Sequence, residues 1–289
     1  MIVVDAHRHY WQPGRGDYGW LDHAPQALRR AFLPGDLRAR HTTAGKHYSI
    51  LVQAAPSEAE TRWLFELARQ DSTVLGVVGW VDLDAADAAA RIDALRAAGD
   101  GLLCGLRPMV QDIADPDWLA RGSLDAVLGT LAEHHLALDA LVTRPQWHAL
   151  LKRLERQPTL RVMLDHAGKP TIGGDGFRHW AAWIDALAEF PALHCKLSGL
   201  LTELAPAQPD RAIEPYVAHL FERFGPSRLV WGSDWPVLTL RSDYDRWLEY
   251  AQDLTERYAP GRQDDVFARN ALRFYARSTP SAPENGETP

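Results

Sequence analysis

Short apolar or β-branched runs alternate along the chain with segments of helical periodicity. The runs are Ile2–Ala6, Tyr48–Gln53, Val74–Val81, Leu102–Arg107, Leu136–Val142, Leu160–Leu164, Leu193–Leu197 and Leu229–Gly232. Strand followed by helix, repeated, builds a parallel sheet, and eight repeats in this length fit a single (β/α)8 TIM barrel. Several intervening segments carry helix start signals. Ser57 with Glu60, and Thr143 with Gln146, read as capping boxes, and Asp84 precedes an Ala-rich helix that Gly99 ends. Phe177–Phe190, Ile213–Phe224 and Tyr244–Tyr258 have apolar positions three and four apart. Residues 10–34 show no period and read as a long loop over the barrel mouth.

The pattern has no break that would split the chain, so residues 1–277 are expected to form one barrel domain. Residues 278–289, nearly devoid of apolar side chains, are expected to form a loose tail. Composition narrows the class of function. With 289 residues, 46% of them hydrophobic, the chain can bury a large core, and a formal net charge of −7 argues against a nucleic-acid partner. No apolar run reaches 18 residues and no leader pattern opens the chain, so a cytoplasmic protein without a membrane span is expected. The two cysteines, Cys104 and Cys195, sit in apolar runs and read as small buried hydrophobes. The number of subunits stays open, a homo-oligomer included.

Chemistry-bearing residues gather at the ends of three runs. The first run leads into Asp5, His7 and His9, which strand alternation places on one face. The sixth leads into His166, and the eighth into Asp234. Taken singly, a histidine or aspartate after a strand is an ordinary turn residue. The C-terminal ends of strands 1, 6 and 8 of a barrel converge on one mouth, however, and three imidazoles with a carboxylate suit metal binding or water activation. Trp11, Trp20, Trp80 and Trp235 lie at strand ends or in loops, where they could wall a ligand site.

The stretches DAHRHYW, LVQAAP, GVVGWVDL, GLRPMVQDI, DHAGKP, KLSGL, FGPSRLVWGSDWPV and NALRFY, in this order over roughly residues 2–277, resemble the sugar-lactonase branch of the amidohydrolase family. That branch includes L-fuconolactone and L-rhamnonolactone hydrolases, with 2-pyrone-4,6-dicarboxylate lactonase more distant. The resemblance implies the barrel and hydrolysis of a small-molecule sugar lactone. It assigns His7, His9, His166 and Asp234 as catalytic residues, and as ligands of at most one divalent ion, Zn2+, or of none. The fifth run ends without the histidine of two-metal members, the fourth ends in Arg107, and His134 and His135 precede the fifth run, toward the opposite rim.

On this reading Asp234 is the general base and His166 donates to the oxyanion or leaving alkoxide, while Asp5 orients a histidine. Gln53, Trp80, Arg107, Asp112, Asp139, Lys196, Trp11 and Trp235 are expected to bind the sugar. Arg107, costly to bury unpaired, is expected to meet substrate or a carboxylate such as Asp139. Another enzyme of the superfamily, a decarboxylase or amide hydrolase, and a non-catalytic sugar-acid binding protein remain as alternatives.

Overall fold

A computed structural model describes residues 2–38 and 46–275; the expected tail, 278–289, lies outside the described residues. Eight parallel strands pair in sequence order: β1 (Ile2–Arg8), β2 (Lys46–Val52), β3 (Val74–Gly79), β4 (Leu103–Leu106), β5 (Ala137–Ala140), β6 (Val162–Leu164), β7 (Leu193–Leu197) and β8 (Leu229–Trp231). The ring closes at its C-terminal end. There His9 N–H donates to Trp235 O (2.8 Å) and Asp234 N–H to His7 O (2.8 Å), so two strand-end site segments also complete the barrel.

Side-chain alternation sorts each strand into two layers. Val4, Ala6, Ile50, Val52, Val78, Cys104, Ala137, Met163 and Val230 form one hydrophobic cluster with Ala268, Ala271, Phe274 and Tyr275. They fill the barrel. Val3, Leu51, Val77, Leu103, Leu138, Leu164, Leu197 and Trp231 join the helix layer. That layer comprises α2 (Glu58–Gln70), α3 (Ala88–Gly99), α4 (Asp125–Glu133), α5 (Trp147–Arg156), α6 (Gly176–Ala188), α7 (Glu214–Phe224) and α8 (Tyr244–Tyr258), after the short α1 (Pro34–Arg38). The last helix, α9 (Asn270–Tyr275), sends Ala271, Phe274 and Tyr275 into the inner cluster and plugs the N-terminal end of the barrel.

Two helix starts differ from the sequence pattern. Ser57 Oγ accepts from Glu60 N–H (3.1 Å), but the Glu60 carboxylate does not return to Ser57. It is buried and accepts from Ala54 N–H (3.0 Å) and Ala55 N–H (2.9 Å) at the end of β2, satisfying loop donors that have no strand partner. The Thr143–Gln146 box does form. Helix α3 starts after Asp87 rather than Asp84, because Asp84 is held by the indole N–H of Trp118 (2.7 Å). Residues 10–34 are a loop of short turns, pinned by backbone pairing of Trp11 with Phe32 and by Trp11 Nε1–H donating to Leu28 O and Arg30 O.

Candidate active site

The end of β1 breaks strand parity. Asp5 pairs with Ser49 and Arg8 with Leu51, so β1 spends one residue more than β2 over the same stretch. Asp5 therefore stays on the side of Val3, while His7 and His9 turn to the barrel mouth with their Nε2 atoms 3.1 Å apart. The shared face expected for the three residues does not exist, and Asp5 orients no imidazole. It accepts from Ser233 N–H (2.8 Å) and Oγ–H (2.7 Å), and from Arg8 Nε (3.1 Å), locking the loop after β8 against β1.

That lock sets the position of Asp234, whose φ of +56° lies in the left-handed region, as does that of His166 (+52°). Such backbone costs about 1–3 kcal/mol for a non-glycine residue and persists where the surroundings over-determine it. Here two glycines make the room. A Cβ on Gly232 would lie 2.7 Å from His7 Cβ. One on Gly199, itself at φ +68°, would lie 2.6 Å from Cγ and Nδ1 of His166. The His166 ring consequently lies flat in a slot behind β7, with Nδ1 2.9 Å from Ser198 Oγ.

The four side chains meet around one carboxylate oxygen. Asp234 Oδ1 is 3.3 Å from His9 Nε2, 3.7 Å from His7 Nε2 and 3.9 Å from His166 Nε2. Burial would raise the Asp234 carboxyl, but the imidazoles, His166 foremost, outweigh it and hold the group ionised, below the usual carboxylate range. Burial lowers His166 to about 4. It also lowers His7 well below the ordinary value, and Lys196 reinforces that direction. At neutral pH the ionised Asp234 carboxylate thus faces His7 and His166 as neutral imidazoles.

Asp139 and Lys196 do not line the cavity. Both are fully buried within strands on inward-facing positions, one layer beneath the histidines. Lys196 Nζ stands 2.5 Å from Asp139 Oδ2, 2.9 Å from Asp165 Oδ1 and 3.0 Å from His7 Nδ1, and Tyr275 Oη–H rises from α9 to donate to Asp139 (2.8 Å). Burial would strip the proton from Lys196, but the two carboxylates hold the ammonium above the ordinary lysine value. Arg107 pairs with Asp165 (3.5 Å), not Asp139, and its Nη1 lies 3.2 Å from His7 Nε2. Gln53 is sealed behind Arg107, donating to its carbonyl (2.8 Å) and accepting from its guanidinium. The strand ends thus hold two layers of polar groups, and only the upper one is open.

The open layer forms the floor of a cavity of about 240 Å3. Of the residues expected to bind ligand, Arg107, Asp112 and Trp11 line it, as do His9, His166 and Asp234. Trp80 and Trp235 do not. Trp235 is buried against Tyr10 and Phe32, and the Trp80 backbone is tied to Thr61 of α2. Trp20 completes the aromatic wall, its indole N–H donating to Ala54 O (2.8 Å). Gln111, Lys169, Thr202 and Glu203 were not singled out in the sequence, yet they form the polar side of the cavity, with Lys169 Nζ 3.1 Å from Gln111 Oε1 and 3.6 Å from Glu203 Oε1. All four sit in loops that leave C-terminal strand ends, the one signal by which they could have been found.

The donor set fits a single divalent ion. Tetrahedral ligands about 2.0–2.1 Å from zinc lie roughly 3.3–3.4 Å from one another. The ligand atoms of His7, His9 and Asp234 are separated by 3.1, 3.3 and 3.7 Å. His9 Nδ1 is 2.8 Å from Val52 O, an acceptor that directs its Nδ1–H there and turns Nε2 to the site. His9 Nε2 and Asp234 Oδ1 then face each other at 3.3 Å, a spacing that a shared cation fits. A second grouping of His7, Asp165 and His166 reuses His7, and its Asp165 is already engaged by Lys196 and Arg107. Among the described residues no helix is long and apolar enough to cross a membrane.

A sequence profile described as Amidohydrolase matches residues 4–277. The chain is 40% identical over 288 residues to a protein of Burkholderia ambifaria named L-fucono-1,5-lactonase, a match covering 98% of this chain and 99% of that one. It is 32% identical to a second protein of that name from Burkholderia multivorans, covering 97% and 98% of the two chains. The crystal structure of an amidohydrolase from Burkholderia multivorans with bound zinc superposes with a TM-score of 0.88 at 32% identity, covering 96% of this chain and 99% of that one. These matches run nearly end to end, so the whole barrel with His7, His9, His166 and Asp234 lies inside the matched span.

Proposed function

The chain belongs to the amidohydrolase family, and we propose on that premise that it is a hydrolase that opens the ring of a sugar-acid lactone by attack of water on the ester carbonyl. L-Fucono-1,5-lactone and related aldonolactones are the substrate class. The observation that carries this reading is the ionised Asp234 carboxylate ringed by three histidines at the floor of a small cavity with one aromatic and one polar wall. A neutral, hydroxyl-rich ring of monosaccharide size needs such a pair of walls: Trp11 and Trp20 against one face, and Gln111, Asp112, Lys169 and Glu203 toward the hydroxyls.

Asp234 takes a proton from the attacking water. A carboxylate held below its usual range is a weak base, so it works by position, taking the water proton as the bond from water oxygen to the carbonyl carbon forms and returning it to the ring oxygen as the lactone C–O bond breaks. With Ser198 Oγ–H donating to Nδ1, His166 carries its proton on Nε2, ready for the oxyanion or the departing alkoxide. Arg107, a donor that cannot lose its proton, orients the carbonyl side of the ring. His7, His9 and Asp234, with His166 adjacent, are the residues that would hold one divalent ion, Zn2+ by the chemistry of the donors. When bound, such an ion polarises the carbonyl and lowers the pKa of water.

The test is turnover against a panel of aldonolactones, read as proton release in weak buffer with metal-supplemented and chelator-treated protein. Opening of 6-deoxy and parent aldonolactones is expected. Absence of hydrolysis across the panel, with turnover of an aromatic carboxylic acid or an amide instead, would replace this reading.

A further inference from the structure

The proposed reaction leaves the lower layer of ionisable groups unused, and its placement around one histidine is unlike that around the other two. His9 Nδ1 meets a backbone carbonyl and His166 Nδ1 meets a serine hydroxyl. His7 meets a cation at each ring nitrogen: Lys196 Nζ 3.0 Å from Nδ1 and Arg107 Nη1 3.2 Å from Nε2. Ammonium and guanidinium groups only donate, and a neutral imidazole has a single bare nitrogen. One of the two contacts is therefore always a donor against an N–H.

This matters for ion binding. To ligate through Nε2, His7 must carry its proton on Nδ1, the nitrogen at which Lys196 already directs one. The most direct alternative acceptor for a Nδ1 proton, Asp165 Oδ1, is 3.4 Å away and is itself paired with Lys196. The lysine cannot swing aside, because it is fully buried and held by Asp139, which Tyr275 holds in turn.

We propose that Lys196 is a positioning residue that restrains divalent-ion binding through His7, by opposing the ligating tautomer and by placing a fixed charge across the ring, so that the site takes its ion loosely and reversibly. The inference rests on the reading of His7 as a ligand. Arg107 adds to the effect but lines the cavity, whereas Lys196 lies beneath the floor and touches no substrate, so Lys196 is the residue to change.

The experiment is titration of the chelator-dialysed, full-length chain with Zn2+ in competition with a chromophoric chelator. Lys196→Met is expected to tighten binding by roughly ten- to a hundredfold, the scale of one unit charge acting across an imidazole ring at an effective dielectric near 20. Lys196→Met/Asp139→Asn removes one charge of each sign and guards against failure of the single variant to fold. It is expected to tighten binding by about fivefold or more, since the local contact is lost while the net charge of the layer is kept. A lysine with a merely structural role would loosen the site on removal and weaken binding, so the sign separates the two cases. Unchanged or weaker affinity in a folded Lys196 variant overturns the inference. His7→Asn distinguishes its failure from that of the reading beneath it. If His7→Asn abolishes binding while the Lys196 variants match the wild type, only the restraint is wrong. If His7→Asn leaves binding intact, the ligand role of His7 falls and the restraint falls with it.

Discussion

Two clusters of charged residues stand one above the other in this barrel, and they are built from the same chemistry. The upper one, His7, His9, His166 and Asp234, opens to the cavity through every member but His7, which is fully buried behind them; the lower one, Asp139, Asp165 and Lys196 with Tyr275 beneath, is sealed. In the upper cluster a carboxylate faces three imidazoles, and two of its members sit on left-handed backbone. In the lower cluster a lysine closes on two carboxylates within 3 Å. The contrast separates two uses of buried charge. The lower layer is compensated inside the protein and acts on stability and on the pose of His7. The upper layer is left short of partners and is available to a ligand.

The largest expected effect lies in the upper layer. Asp234→Asn keeps shape but cannot accept a proton, and lactone turnover should fall by about 10²–10⁴-fold with the thermal midpoint nearly unchanged. If that variant stays active while His166→Asn is dead, the histidine is the base. The lower layer should respond in the opposite way. Lys196→Met strands two carboxylates and should cost about 3–5 kcal/mol in denaturant unfolding, whereas His9→Asn should cost about 1 kcal/mol or less. Equal stabilities for the two variants would erase the distinction between the layers.

Gly199→Ala tests the seat of His166 in the upper layer. Its methyl would lie 2.6 Å from the His166 ring at a φ of +68°, so it should lose about 1–3 kcal/mol of stability and, by displacing His166, on the order of tenfold or more in kcat. Full activity would show that the ring can move without consequence. Tyr275→Phe deletes one hydroxyl from the bottom of the lower layer, and a loss of about 1–2 kcal/mol with turnover close to wild type is expected; a dead enzyme of normal stability would mean that α9 reaches the chemistry directly.

The smallest effect is on pH. Burial lowers both His7 and His166, the latter to about 4, and Asp234 is held ionised below the usual carboxylate range. A lowered histidine stays neutral as pH falls through 6.5 and takes its proton only near its own value. The acid limb of kcat/KM should accordingly lie well below 6.5, and a limb centred at 6.5 or above would mean that an unshifted histidine controls the rate.

How far these features could be read beforehand differs by residue. All eight strands stand where apolar runs alternate with helical periods, because period-2 and period-3.6 burial write themselves directly into the order of residues. The convergence of His7, His9, His166 and Asp234 follows from their place after strand ends, since barrel closure brings strand ends 1, 6 and 8 together whatever the intervening loops do. Asp5 departs from the expected shared face because a single extra residue after it in β1 turns His7 and His9 to the other side, and a bulge has no signature in the run Ile2–Arg8. The capping partner of Ser57 was misread for a similar reason: Glu60 serves loop amides that are near it only in space.

Local order along the chain therefore settled the kind of fold, the count of strands and, outside the bulge of β1, which side chains point toward the barrel axis, all consequences of backbone geometry that repeats every few residues. It could not settle depth along that axis. Asp139 and Lys196 face inward as Asp234 does, and the strand stagger sets them one layer lower, where water cannot reach and each charge must find its partner within the protein. Which polar groups are compensated and which are left for a ligand depends on contacts between residues as far apart as His7 and Lys196, or Asp139 and Tyr275, and these exist only once the barrel has closed.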